Sequence, residues 1–124
     1  MILLIFLVFT AIFTLTAVFI GQKASSGKMA TVSFGKKVAV VEITGIIMDS
    51  REAVEQLRRF QDDGNVSAVV LRVDSPGGGV GASQEIHDAV AELAAVKPVV
   101  VSMGSVAASG GYYVACPAQT SFAN

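Results

Sequence analysis

Two loops in the sequence combine residue types that could carry out acyl-transfer chemistry. The first, residues 74–79 (DSPGGG), places three consecutive glycines between an apolar run and a predicted helix. The second, residues 104–111 (GSVAASGG), carries Ser109 between small residues, which leave its hydroxyl unobstructed. A serine in such a turn can act as a nucleophile, and backbone N–H groups beside it can stabilise the developing oxyanion.

Each loop also has other interpretations on pattern alone. The glycines could form an oxyanion hole, a phosphate site or a plain tight turn, and they match neither GxGxxG nor a P-loop. Ser109 could be an ordinary helix N-cap, which is a common role for serine. The pattern favours the oxyanion hole for the first loop and, without further information, the N-cap for the second.

The elements that must position these loops alternate between strand and helix. Apolar β-branched runs predict strands over 38–43, 66–73 and 99–103, and a further strand over 120–123. Between them, apolar residues recur at helical spacing, with a short third helix before Pro117. These residues are Ala53, Val54, Leu57 and Phe60 in the first helix, and Ala82, Ile86, Ala89, Val90 and Leu93 in the second.

This order predicts a parallel sheet covered by helices and connected by right-handed crossovers. The carboxyl ends of parallel strands meet at one edge of a sheet, so we expect the two loops to lie side by side. The second strand is apolar enough to be buried on both faces. In the first helix, Asp49 and Glu52 have the spacing of a capping box, and Gly64 fits the C-terminal stop.

Composition excludes several classes of protein. The chain has 124 residues, of which 52% are hydrophobic and 15% charged, with a formal net charge of -1. A near-neutral charge argues against nucleic-acid binding, and the apolar content excludes a disordered chain. One cysteine, Cys116, and one histidine, His87, exclude an internal disulfide and a Cys/His zinc cluster. We expect no cofactor and no metal.

The apolar excess lies at the start of the chain. Residues 1–21 are predicted to be a transmembrane anchor, because twenty uncharged residues make a helix of roughly 30 Å. A cleaved signal peptide and a buried core helix are the alternatives. Residues 22–37 are predicted to form a linker, and residues 38–124 are predicted to form the folded domain. Every lysine near the apolar run follows it, and this charge pattern alone would place the folded domain in the cytoplasm.

The paired motifs resemble those of a known family. DSPGGG at 74–79, followed by MGSVAASGGYY at 103–113, closely resembles signal peptide peptidase A (SppA), a family of membrane-anchored serine proteases. The resemblance runs from about Val38 to the end of the chain and implies an α/β, ClpP/crotonase-like partial parallel sheet with covering helices. The N-terminal transmembrane helix fits it too. NfeD-type membrane serine proteases have similar loops and are the nearest alternative.

The resemblance also implies the site residues. It makes Ser109 the nucleophile and the N–H groups of Gly78 and Gly110 the oxyanion hole, although the glycine assignment could slip by one. The family base is a lysine downstream of the serine, and this sequence has no lysine after Lys97. Lys97 itself is a poor substitute, because the third strand separates it from Ser109 by roughly 17 Å.

Other candidates in the chain have simpler interpretations. The lysines of the linker, Lys23, Lys28, Lys36 and Lys37, are expected to be solvated. We expect His87 to be solvated or structural, and Cys116 to lie in the core. Tyr112 and Tyr113 are expected to pack rather than to act as acids or bases.

The resemblance implies a membrane-bound serine endopeptidase that cleaves remnant signal peptides or other apolar peptides through a Ser/Lys dyad. It further implies a peptide substrate, a lipid membrane and a homo-oligomer. It places the domain on the outer side of the bacterial cytoplasmic membrane, against the charge pattern, and we follow the resemblance. The alternatives are a catalytically incomplete, membrane-tethered oligomerising domain and crotonase-like chemistry on acyl-CoA.

Overall fold

The computed structural model describes residues 35–123, which form a four-stranded sheet with three helices. In chain order the elements are β1 (Lys37–Ile47), α1 (Arg51–Asp62), β2 (Val66–Gly78), α2 (Val80–Ala94), β3 (Val99–Ala107), α3 (Gly110–Ala115) and β4 (Thr120–Phe122). The strands follow chain order across the sheet, and every neighbouring pair is parallel. The predicted alternation and the α/β class are confirmed.

The strands β2 and β3 extend further than the apolar pattern predicts. Pairing with β1 continues to the end of β2, where Ile46 is opposite Gly77 and Ile47 opposite Gly78. On the other side of β2, Ser75 is opposite Ala107 after a shift in register. Most of the two predicted loops is therefore strand backbone, which holds the candidate site more rigidly than free loops would.

The helices cover one face of the sheet. Val41, Leu71 and Val101 lie side by side on three neighbouring strands and are fully buried. The buried helix residues that pack with this row are Leu57, Ile86, Val90 and Leu93. On the opposite face Val40 is 53% exposed, and Val70 and Val100 beside it are half-buried. The expectation that β2 is buried on both faces is wrong for the described residues, since successive side chains alternate between a covered and an open face.

The ends of α1 differ from the prediction. The N-cap is Ser50, and the N–H of Arg51 donates to Oδ1 of Asp49 at 2.8 Å. Glu52 does not complete a capping box, because its carboxylate accepts a hydrogen bond from Gln56 at 3.3 Å. The helix ends at Asp62 with Asp63 as its C-cap, so Gly64 lies in the following turn and is not the cap.

The predicted anchor over 1–21 and the linker up to residue 34 lie outside the described residues. Within residues 35–123, no helix has the length and apolar character needed to cross a bilayer. Within residues 35–123, the first strand begins at Lys37.

The carboxylate of Asp49 makes the start of α1 sensitive to acid. Side-chain and backbone hydrogen bonds from Arg51 lower the pKa of Asp49 from 3.8 to about 2. Because the folded pKa lies below the unfolded one, this contribution to stability is complete above pH 3.8 and is lost as pH falls towards 2. We expect Asp49→Asn to lower the melting temperature near neutral pH and to have little effect near pH 2. An equal effect at both pH values in thermal unfolding would contradict this.

Candidate active site

Ser109 occupies the sharp turn between β3 and α3. Its φ is 49° and its ψ is -122°, and it is the one non-glycine residue with positive φ among residues 35–123. Its side chain is exposed and makes no capping hydrogen bond to α3. A strained serine between a strand and a helix, with its hydroxyl open to solvent, is the arrangement that serine hydrolases use to present a nucleophile.

The glycine segment packs directly against this turn. Gly77 has a φ of 97°, and a Cβ built on it would lie 2.6 Å from the nitrogen of Gly110 and 3.0 Å from the Cβ of Ser109. Only a glycine leaves room for this contact. The expectation that the two predicted loops lie side by side at one sheet edge therefore holds.

Of the three adjacent glycines, Gly77 and Gly79 have N–H groups with acceptors among the described residues. Ile47 of β1 is the register partner of Gly78, and its carbonyl accepts the N–H of Gly79 at 2.7 Å. Successive N–H groups along a strand point to opposite sides, so the N–H of Gly78 points away from β1. The N–H of Gly77 is already bonded to a serine hydroxyl at 3.1 Å. This geometry favours Gly78 as a donor, and its role in an oxyanion hole stays a prediction.

The hydroxyl that binds Gly77 belongs to Ser75, a residue whose role the sequence analysis missed. Ser75 is fully buried; its Oγ donates to the carbonyl of Gly45 at 2.5 Å and accepts the N–H of Gly77. Its own carbonyl accepts the N–H of Ala108 at 3.1 Å. One residue thus connects β1, the glycine segment and the serine turn. A polar residue directly after the apolar strand is the signal that could have indicated it.

Asp74 holds the end of β3 in the same way. Its Oδ1 accepts the N–H of Val106 at 3.0 Å. Gly104 lies against this side chain, because a Cβ on that glycine would lie 2.7 Å from the carboxylate carbon of Asp74. The carboxylate is therefore a structural acceptor that fixes the strand leading to Ser109.

The lysine and the histidine considered as bases both contact groups other than the Ser109 hydroxyl. Nζ of Lys97 donates to the carbonyls of Phe60 and Asp63 at 2.6 and 2.7 Å, at the C-terminal end of α1. His87 stacks on the ring of Tyr113 with centroids 4.2 Å apart. Among residues 35–123, no lysine or histidine is hydrogen-bonded to the Ser109 hydroxyl.

His87 belongs to a polar cluster that joins α2 to α3. Its Nδ1 lies 3.1 Å from Oδ1 of Asp88, which also accepts a hydrogen bond from Gln84 at 2.8 Å. The hydroxyl of Tyr113 donates to the amide oxygen of Gln84 at 2.8 Å. The cluster makes His87 and Tyr113 structural, as expected. Tyr112 does not pack in this way, because it is 56% exposed.

The prediction for Cys116 is wrong. It was expected in the apolar core, and the structure places it on the surface at the end of α3. Its thiol lies 3.4 Å from the carbonyl of Tyr112, one helical turn earlier. The helix turns Val114 and Ala115 towards the core, so the next position faces solvent.

Taken together, the described residues bring an exposed serine and a glycine segment to one edge of the sheet. Ser109 and the nitrogen of Gly110 lie against Gly77, and Gly78 is the next residue along that segment. This set can attack a carbonyl carbon and hold the oxygen as it becomes negative. Among the described residues, no carboxylate, lysine or histidine is hydrogen-bonded to the Ser109 hydroxyl.

The sequence is similar to known serine peptidases. Residues 91–124 match the family described as Peptidase family S49. Protease 4 of Salmonella typhi is 47% identical over 94 residues, covering 68% of this chain and 15% of that protein. The putative signal peptide peptidase SppA of Enterococcus faecium is 32% identical over 102 residues, covering 71% of this chain and 30% of that protein. The chain spans less than a third of the length of either relative. The resemblance to the SppA family is confirmed, and with it the relation to serine-type peptidases.

Solved structures support the same fold. A ClpP1 mutant from Listeria monocytogenes matches with a TM-score of 0.59 at 26% identity, over 64% of this chain and 46% of that chain. A mutant of the 1510-N membrane-bound stomatin-specific protease, in complex with a substrate peptide, matches with a TM-score of 0.55 at 24% identity. This match covers 72% of this chain and 42% of that chain. The ClpP-like sheet predicted from the motifs is confirmed.

The close contacts of the glycine segment predict a sharp difference between neighbouring positions. A Cβ on Gly77 or Gly78 would meet backbone atoms at 2.6 and 2.1 Å, whereas a Cβ on Gly79 would meet nothing nearer than 3.6 Å. We expect Gly77→Ala and Gly78→Ala each to lower the free energy of unfolding by about 3 kcal/mol or more. Gly79→Ala is the matched control and should unfold like the wild type in denaturant titrations. Equal stability of all three variants would contradict the observed contact.

Proposed function

We propose that this relative of the signal peptide peptidase A family is a membrane-anchored serine endopeptidase, with Ser109 as nucleophile and Gly78 and Gly110 as oxyanion donors. One observation carries the proposal. Ser109 is exposed and held at positive φ, and its Cβ lies with the nitrogen of Gly110 directly against Gly77. An N-cap serine needs neither the strain nor the glycine neighbour.

The proposed reaction proceeds through an acyl-enzyme. Oγ of Ser109 attacks the carbonyl carbon of the scissile peptide, its proton passes to a neutral lysine, and the carbonyl oxygen becomes an oxyanion. The N–H groups of Gly78 and Gly110 donate to that oxygen. The C–N bond then breaks, and the lysine returns the proton to the leaving amine. Water then attacks the acyl carbon and gives a proton to the lysine. The bond between the acyl carbon and Oγ breaks, the lysine returns the proton to Oγ, and the carboxylic acid leaves.

The base in this proposal is a lysine outside residues 35–123. Lys97 is hydrogen-bonded to the end of α1, and His87 stacks on Tyr113, so neither is hydrogen-bonded to Ser109. The family resemblance supplies the lysine from a downstream position or from the neighbouring subunit of a homo-oligomer. Burial in an apolar site lowers the pKa of a lysine, which is what a neutral base requires.

Exposed apolar side chains beside the site favour an apolar peptide as substrate. Ile46, Met48 and Val80 are 66%, 80% and 86% exposed, and Ile46 is paired with Gly77. A peptide lying along the glycine segment would cover part of this surface and gain free energy in proportion to the apolar area. A membrane-anchored peptidase would encounter remnant signal peptides, which are apolar. We therefore propose these peptides as its substrates.

The proposal predicts that Ser109 reacts with a fluorophosphonate probe. The assay uses the longest polypeptide that the gene encodes, in liposomes, with mass spectrometry to locate the adduct. We expect Ser109→Ala to abolish labelling and to lower cleavage of an apolar peptide by about 10³-fold or more. Ser105→Ala is the matched control, since Ser105 is an exposed serine of the same segment, and it should react like the wild type.

Undiminished peptide cleavage by Ser109→Ala would remove Ser109 from the mechanism. Absence of labelling and cleavage in the wild type would favour the catalytically incomplete, membrane-tethered domain. Saturable binding of acyl-CoA would favour crotonase-like chemistry, which uses the same oxyanion arrangement without a serine nucleophile.

The single cysteine gives a test of the proposed location on the outer side of the cytoplasmic membrane. Cys116 is exposed at the end of α3. We expect a membrane-impermeant maleimide to label it in intact spheroplasts, because the reagent reaches only the outer side. Cys116→Ser is the control for reaction at other sites. Labelling confined to detergent-permeabilised cells would place the domain in the cytoplasm and contradict the proposal.

A further inference from the structure

Ser83, in the first turn of α2, has a buried hydroxyl that the mechanism above does not use. The residue is 3% exposed, and its N–H donates to the carbonyl of Gly79 at 3.0 Å. Its Oγ has no hydrogen-bond partner among residues 35–123. Buried polar atoms are nearly always paired, because an unpaired one loses its hydration without compensation. A serine here, where alanine would avoid that loss, calls for another explanation.

The explanation lies in what the side chain touches. A Cβ built on Gly110 would lie 2.4 Å from Oγ of Ser83 and 3.2 Å from its Cβ. The positive-φ glycines of the described part of the chain are Gly45 and Gly77, so the backbone at Gly110 would accept other residues. Space, and not conformation, therefore requires glycine at position 110, and the side chain of Ser83 fills that space.

Gly110 lies close to two neighbours. The same built Cβ that would meet Oγ of Ser83 at 2.4 Å would lie 3.4 Å from the Cα of Gly77. Because α3 begins at Gly110, the N–H of this residue has no hydrogen-bond acceptor within the helix. Its direction is set by these two contacts and by the strained serine before it.

We propose that Ser83 is a positioning residue, which sets the place and direction of the Gly110 N–H through the size of its side chain. The inference rests on the proposed function, in which that N–H stabilises the oxyanion. An oxyanion donor works within a few tenths of an ångström, and a misplacement of about 1 Å can lower a rate about 10²-fold. Positions 83 and 110 then form a pair in which a gain of size at one must be matched by a loss at the other.

An exchange of size between the two positions tests this coupling. We expect Gly110→Ala to lower the melting temperature and to slow fluorophosphonate labelling of Ser109 by about 10²-fold. Adding Ser83→Gly should restore the melting temperature and at least about tenfold of the labelling rate, because the nearest remaining contact is 3.4 Å. Gly111→Ala is the matched control. Its Cβ would lie 2.4 Å from the carbonyl oxygen of Ser75, so Ser83→Gly should not rescue it.

Ser83→Ala separates positioning from stability. Because the lost hydroxyl has no partner, we expect the melting temperature to stay the same or rise. The maximal labelling rate should fall about five- to tenfold, with an unchanged probe concentration at half-maximal rate. A variant that labels at the wild-type rate, or a double variant without recovery, would overturn the proposal.

The failure of the proposed function would look different. In that case wild-type Ser109 would not be labelled, while the melting temperatures would still report whether Ser83→Gly rescues Gly110→Ala. The amide resonance of Gly110 in ¹H–¹⁵N spectra gives the second readout. A shift of that resonance in Ser83→Ala would support the positioning role, and an unchanged resonance would overturn it.

Discussion

The hydrogen bonds of Ser75 are the interaction on which the candidate site depends. Its buried hydroxyl bridges the carbonyl of Gly45 and the N–H of Gly77, and its carbonyl holds the N–H of Ala108. Three segments that are far apart in sequence meet at this residue. If one of these hydrogen bonds broke, buried polar groups would be left unpaired, which costs free energy. We therefore expect the three segments to keep their relative positions as one unit.

The site is built largely from the backbone. The candidate oxyanion donors are peptide N–H groups, and glycines let the two segments approach until Gly77 touches the turn at Ser109. Side chains mostly support this backbone. Asp74 fixes the end of β3, and Ser83 fills the space next to Gly110. Such a site has few polar side chains of its own, and its chemistry is set by the relative placement of strands and helices.

The meeting of the two loops could be predicted from the sequence, because parallel strands bring their carboxyl ends to one edge. The roles of Ser75 and Ser83 could not, since their contacts lie about thirty residues away and depend on strand register and helix placement. Cys116 was misplaced for a related reason: apolar neighbours do not say which side of a short helix faces solvent. The lysine base of the proposed mechanism has no counterpart in the described contacts and rests on the family resemblance alone.

At Ser109, the backbone conformation that presents the hydroxyl also lowers the stability of the domain. Holding a non-glycine residue at positive φ costs about 1–3 kcal/mol, which the surrounding hydrogen bonds must offset. Glycine at this position would relax the turn and make the domain more stable, but it would carry no hydroxyl. Alanine would keep the strained positive φ and remove only the oxygen atom. The most stable version of this turn would therefore lack the hydroxyl that the proposed mechanism uses, and selection for stability alone would remove it.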